Sequence, residues 1–304
     1  MSGGNSMQSA IKCNICPRNC NVDRSKSKGL CNMPWQVKVS KAYLHHWEEP
    51  FISGTRGSGT VFFSGCNLKC VFCQNYEISQ YQFGKFLTVE ELAQVFLNLQ
   101  KQGAHNINLV TPTIHVFSIK EAILLAKRQG LQIPIVYNTN AYENVETLKM
   151  LEGLIDIYLP DLKYYNDALA KKYSKAPNYF EHATKAILEM YRQVGIPQFD
   201  EEGILKRGLV IRHLIMPGFV EDTKKILLWI KENLPKEIYV SLMSQYTPYY
   251  QAQKYPEINR KITPQEYDEA IDFFFEIGLE NGLIQEIESA SEDFIPDFDL
   301  EGLE

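Results

Sequence analysis

Three cysteines spaced four and then three residues apart carry the clearest chemistry in this chain: Cys66, Cys70 and Cys73, within Cys66-Asn67-Leu68-Lys69-Cys70-Val71-Phe72-Cys73. Three thiolates on so short a loop can hold three irons of one [4Fe–4S] cluster. The fourth iron then lacks a protein ligand, and an open coordination position is what lets a metal centre act on a bound molecule. The alternative is a zinc knuckle or free thiols, although zinc needs a fourth ligand close by.

Four further cysteines, Cys13, Cys16, Cys20 and Cys31, supply a complete ligand set of their own. A closed four-thiolate site is structural as a rule, and in a short segment it contributes most of the folding energy. Zinc and an iron–sulfur cluster both fit the ligand count, so the metal stays open. Iron there could relay electrons or touch substrate; zinc would be a brace. Arg18, Arg24, Lys26 and Lys28 lie among the thiols and would offset their charge.

All seven cysteines fall within the first 73 of 304 residues. An odd count without an apolar leader fits a reducing compartment, where clustered thiols bind metal more often than they form disulfides, and a cytoplasmic location is expected. Apolar residues at 45% and charged residues at 22% exclude disordered and fibrous classes. No apolar run approaches the roughly 20 residues of a membrane span. A formal charge of -6 argues against nucleic acid as the main partner.

The elements that must position these thiols follow residue 60. Apolar, β-branched runs at 60–64, 107–110, 133–137, 155–159, 209–214 and 238–242 alternate with helical periods. Thr88 with Glu91 and Ser118 with Glu121 read as capping boxes, Gly130 as a helix stop, Asn144 and Asn178 as N-caps, and Thr263-Pro264-Gln265-Glu266 as one more helix start. Six strand–helix units predict α/β architecture: an open, partial parallel (β/α)6 barrel. The boundaries are 1–57 for a Cys-rich metal-binding extension ending in a linker from residue 42, 58–261 for the barrel, and 262–304 for a helix and acidic tail. The three-cysteine loop directly follows the first barrel strand, at the end where such folds place active sites.

This loop on a (β/α)6 pattern resembles the radical S-adenosylmethionine (radical SAM) superfamily. The strand ends Tyr137-Asn138-Thr139-Asn140, Leu159-Pro160-Asp161-Leu162-Lys163 and Ile211-Arg212-His213-Leu214, with Cys73-Gln74-Asn75, are similar to those of relatives of pyruvate formate-lyase activating enzyme. The resemblance implies a [4Fe–4S] cluster on Cys66, Cys70 and Cys73 that binds S-adenosylmethionine. Reductive cleavage would then give methionine and a 5′-deoxyadenosyl radical that abstracts a substrate hydrogen. It also implies reduced flavodoxin or ferredoxin as electron donor.

By position, Asn138, Thr139, Asp161 and Lys163 inherit contacts to S-adenosylmethionine and a monovalent cation, with Asn138 standing where the family has Asp. Thr111 and Thr113 replace a Gly-Gly-Glu segment at the second strand end. Arg212 lies inside an apolar strand, where an unpaired charge is costly, so a carboxylate partner and contact with cofactor are expected. Gln245, after the sixth strand, is placed near adenine.

Three functions fit this reading. One is an activase that takes a hydrogen from glycine in a partner protein. The second is radical chemistry on a peptide, a cofactor precursor or RNA. The third, from another class, is a zinc-stapled binding protein without catalysis. Outside the motifs, His45-His46-Trp47-Glu48-Glu49 reads as packed linker with a solvated charge pair, and His115 as a structural histidine.

Overall fold

The computed structural model describes residues 12–285 and 296–303. The polar opening and the acidic stretch 286–295 lie outside them. Strands are β1 (Lys38–His45), β2 (Ser58–Phe63), β3 (Lys85–Phe86), β4 (Ile107–Val110), β5 (Ile135–Thr139), β6 (Ile157–Pro160), β7 (Gln198–Phe199), β8 (Leu205–Leu214), β9 (Tyr239–Met243) and β10 (Gly282–Ile284). The main sheet runs β10-β9-β8-β6-β5-β4-β2-β1-β3. Along this order every pairing from β2 to β10 is parallel, β1 lies antiparallel to both β2 and β3, and the short β7 pairs antiparallel with β8 off the main path.

The six expected strands are therefore β2, β4, β5, β6, β8 and β9, and β10 adds a seventh parallel strand. β2, β4, β5 and β6 are buried along their whole length, which explains why they read as unbroken apolar runs. Among the described residues the two ends of the sheet do not meet, so the barrel is open.

Helices α1 (Pro50–Ser53), α2 (Tyr76–Ser79), α3 (Val89–Lys101), α4 (Val116–Arg128), α5 (Val145–Lys149), α6 (Asp167–Ser174), α7 (Tyr179–Val194), α8 (Val220–Asn233) and α9 (Pro264–Glu276) complete the chain. In α7 the buried residues Tyr179, Ala183, Ala186, Ile187, Met190 and Val194 recur at helical spacing, giving one apolar stripe against the sheet. Thr88 makes the expected capping box, and Thr263, read as a helix start, makes one as well. Ser118 and Glu121 do not, because a short 3-10 turn at Thr113–His115 starts α4 earlier and puts Ser118 inside it.

The segment read as linker is structural. β1 pairs with β2 over most of its length, and α1 plugs the lower barrel: Phe51 and Ile52 cluster with Val136, Ile157, Leu159 and Val210. Part of the acidic tail is also packed. Ala42 N–H donates to Glu301 O (2.9 Å), Leu300 N–H to Ser40 O (3.1 Å), and the Lys41 ammonium pairs with Asp299 (3.1 Å) and Glu301 (2.9 Å). Phe298 packs edge-on to Phe62 at 5.5 Å.

Candidate functional site

Strand residues alternate between the two faces of a sheet, so each barrel strand contributes every second side chain to the interior. Above the α1 plug those residues are Val110, Asn138, Asp161, Arg212, Leu214 and Met243, and they line a cavity of about 270 Å³. Cys66, Cys70 and Cys73 share it, with Thr111, Thr139, Asn140, Lys163 and Gln245. Pro296 from the returning tail adds to the wall.

The three-cysteine loop is held by backbone on both sides. Lys69 N–H donates to Ser174 O (3.0 Å) and Val71 N–H to Tyr173 O (2.8 Å), both at the end of α6, while Gln251 N–H donates to Val71 O (2.7 Å). Each sulfur has a polar neighbour. Leu68 N–H (3.3 Å) and Asn140 Nδ2 (3.4 Å) donate to Cys66 Sγ, Ser174 Oγ donates to Cys70 Sγ (3.0 Å), and Cys73 Sγ lies 3.2 Å from Ser79 Oγ. Burial pushes the free Cys66 thiol up to about 11 and Cys73 to about 12, so the thiolates need a metal's positive charge to form near neutrality.

Below the thiols lies a charged network. Arg212 donates through Nε to Asp161 Oδ1 (2.8 Å), through Nη2 to Asn138 Oδ1 (2.7 Å) and through Nη1 to Glu48 Oε2 (3.3 Å). Lys163 Nζ donates to Asp161 Oδ2 at 2.7 Å. Burial favours the neutral acid at Asp161, but Arg212 and Lys163 overcome it and hold its carboxyl below the usual range. Both Asp161 oxygens thus face cationic side chains. Burial pushes Glu49 up to about 7.

The expected site residues converge with one exception. Thr111, Asn138, Thr139, Asp161, Lys163, Arg212 and Gln245 line the cavity, whereas Thr113 turns away and donates to Glu143 Oε1 at 2.6 Å. Thr113 sits in the 3-10 turn that leads into α4, where its side chain reaches Glu143 and not the cavity. Thr111 has a φ of 60°, a left-handed conformation strained for a β-branched residue. His115 is buried and contacts Ser64 O at 2.9 Å, outside the cavity lining. Glu48 and Glu49 were misjudged as solvated; Glu48 lines the cavity and Glu49 is buried beside it. The pairing of Glu48 with Arg212, 164 residues away, leaves no local sign.

Among the described residues no three His, Cys, Asp or Glu side chains are grouped as a single metal ion requires. Donor chemistry at Cys66, Cys70 and Cys73 suits a cluster, whose cysteine-bearing corners stand further apart than the ligands of one ion. No helix among those residues is long and apolar enough to cross a membrane.

The radical SAM superfamily pattern matches residues 60–230. An uncharacterized protein of Methanocaldococcus jannaschii is 34% identical over 270 residues, covering 86% of this chain and 73% of that one. The pyruvate formate-lyase-activating enzyme of Clostridium pasteurianum is 27% identical over 200 residues, covering 62% and 74%. Two solved structures share the fold. Streptococcus suis SuiB bound to its precursor peptide SuiA has a TM-score of 0.51 at 15% identity, with 73% of this chain and 46% of that one covered. The FeFe-hydrogenase maturase HydG from Carboxydothermus hydrogenoformans has a TM-score of 0.51 at 15% identity, covering 78% and 56%. The chain spans about half the length of those structures.

Proposed function

The chain belongs to the radical SAM superfamily, and on that footing we propose that its cavity cleaves S-adenosylmethionine reductively and directs the resulting radical at a glycine hydrogen of a partner protein. When bound, a [4Fe–4S] cluster and S-adenosylmethionine supply one-electron cleavage of the sulfonium, giving methionine and a 5′-deoxyadenosyl radical. Family membership makes the chain an enzyme and sets aside the non-catalytic, zinc-stapled reading.

One observation carries the proposal: the three thiols and a set of charges of both signs face a single cavity. Cys66, Cys70 and Cys73 would hold the cluster, and the hydrogen bonds to their sulfurs would tune its potential. Lys163 and Arg212 offer cations, and Asp161 and Glu48 carboxylates, a pairing suited to the carboxylate and ammonium of the methionine moiety. Their side chains are 13–17% exposed, so these charges are felt in a poorly screened space. Phe62, Phe63, Phe72 and Tyr246 line the remaining wall and exclude water, which would quench a radical. The protein target rests on the likeness to the activating enzyme, and reduced flavodoxin or ferredoxin would be the donor.

Anaerobic loading with iron and sulfide should give a dithionite-reducible centre and 5′-deoxyadenosine detectable by mass spectrometry. A loaded, reducible protein that forms no 5′-deoxyadenosine would overturn the reading. Adding a glycyl-radical enzyme should produce a protein radical by electron paramagnetic resonance. Deuterium passing instead from a labelled small molecule into 5′-deoxyadenosine would move the target away from protein.

A further inference from the structure

The thiols of Cys13, Cys16, Cys20 and Cys31 converge outside the cavity, in a segment folded by tight turns. Cys13 N–H donates to Val22 O (2.8 Å) and Asn21 N–H returns to Cys13 O (2.9 Å). Asn19 N–H closes a turn on Cys16 O (3.0 Å), and Asn32 N–H closes another on Gly29 O (2.8 Å), with Cys31 inside it. Asn19, Asn21 and Asn32 all have positive φ, the conformation that asparagine tolerates best after glycine.

Three observations mark this as a built site. Cys13, Cys16 and Cys31 are buried, and none of the seven cysteines is in a disulfide. Cys31 lies within electrostatic range of Cys13 and Cys20, and Cys16 within range of Cys13 and Cys31. Gly29 leaves space that a side chain would take from the sulfurs: a Cβ there would lie 3.3 Å from Cys20 Sγ and 3.7 Å from Cys31 Sγ. Leu30 N–H also points at Cys20 Sγ, at 3.4 Å.

Arg24 supplies an independent argument for negative charge. Only 1% exposed, its guanidinium donates to the carbonyls of Met33 (3.0 Å), Ile114 (2.8 Å) and Pro34 (2.5 Å) and lies 4.6 Å from the Trp35 ring. Among the described residues it pairs with no carboxylate. A buried cation without an anion is costly, and the nearby Cys31 is a group that could supply that charge as a ligated thiolate.

Cys66, Cys70 and Cys73 belong to a family that implies a cluster, and a centre beside that cluster can pass electrons only if it holds iron, since zinc has no redox chemistry. The two sets also adjoin. Arg18 Nε donates to Asn67 O (2.7 Å) in the three-cysteine loop, and Met33, two residues after Cys31, packs on Gly65, next to Cys66.

We propose that Cys13, Cys16, Cys20 and Cys31 hold a second iron–sulfur cluster, docked against the loop that carries the first. The proposal stands apart from S-adenosylmethionine cleavage, because its readout is metal content. The full chain carrying Cys66→Ala, Cys70→Ala and Cys73→Ala, loaded anaerobically, should retain about four irons and four sulfides and show a reducible signal by electron paramagnetic resonance. The unaltered chain should hold about twice as much. Adding Cys20→Ser, at the least buried ligand, should remove the retained iron, with circular dichroism reporting the fold. One zinc without sulfide in the triple variant, or only four irons in the unaltered chain, would overturn the proposal. Undiminished iron after Cys20→Ser would do the same.

Discussion

Arg212 donates through Nε to Asp161 at 2.8 Å and through Nη1 to Glu48 at 3.3 Å, so one guanidinium bridges two carboxylates from distant parts of the chain. β8 supplies the cation, the end of β6 one anion, and the segment between β1 and α1 the other. Lys163 joins from the far side of Asp161. These contacts fix the floor of the cavity.

Replacing Arg212 with Met should therefore cost stability as well as activity. Removing one partner of a buried ion network leaves uncompensated charge and costs about 3–5 kcal/mol. The denaturant midpoint should fall accordingly, and 5′-deoxyadenosine formation by roughly 100-fold, about 2.7 kcal/mol of transition-state stabilisation. A variant with wild-type stability would show that the network is not structural.

Lys163→Met should separate the two effects. Asp161 keeps its bond to Arg212 in this variant, so the stability loss should be smaller than for Arg212→Met. Binding of S-adenosylmethionine, measured by calorimetry on the loaded protein, should weaken about tenfold or more, the scale of one charge-assisted hydrogen bond. Equal stability losses in the two variants would contradict the arrangement.

Gly65→Ala should damage both cysteine sets at once. Gly65 has a φ of 83°, and a Cβ there would meet Met33 Cγ at 2.4 Å and Ile114 Cδ1 at 2.8 Å. Left-handed strain and overpacking together should cost about 2–4 kcal/mol. Iron content after loading should drop with the melting temperature, whereas Gly130→Ala, with nothing near its Cβ, should pay only the backbone strain.

Glu143 should make stability depend on pH. Burial pushes its carboxyl from 4.5 up to about 7, although Thr113, Thr139 and Tyr137 all donate to Oε1. Its folded pKa lies above the unfolded one, so its contribution is full below about pH 4.5 and is lost as pH rises through about 7. The whole shift corresponds to about 3 kcal/mol. Denaturant midpoints from pH 5 to 8 should fall less steeply for Glu143→Gln than for the unaltered chain.

Much of this was legible in the chain, for reasons that differ by element. Strands buried on both faces advertise themselves as apolar runs, and the three-cysteine loop does so by spacing alone. Arg212 was readable because a charge inside such a run demands a partner. Strand β1 was not, since Lys41 interrupts its apolar pattern and is satisfied by Asp297, Asp299 and Glu301 from the far tail. Glu49 and Glu143 were missed for a related reason: nothing local marks a carboxyl that folding will bury. Thr113 was misplaced because one 3-10 turn, invisible in composition, swung it away from the cavity that Thr111 lines.

The strap formed by residues 298–303 bears on the order of folding. Lys41 and Asp299 are 258 positions apart, and closing so long a loop costs about 2 kcal/mol more entropy than closing one of about 20 residues. Contacts of that range form late, after local hairpins and strand–helix units have condensed. The wall that Phe298 and Pro296 complete is thus the part of the cavity expected to close after the barrel has formed, leaving a window in which bulky inorganic cargo can enter a nearly finished fold.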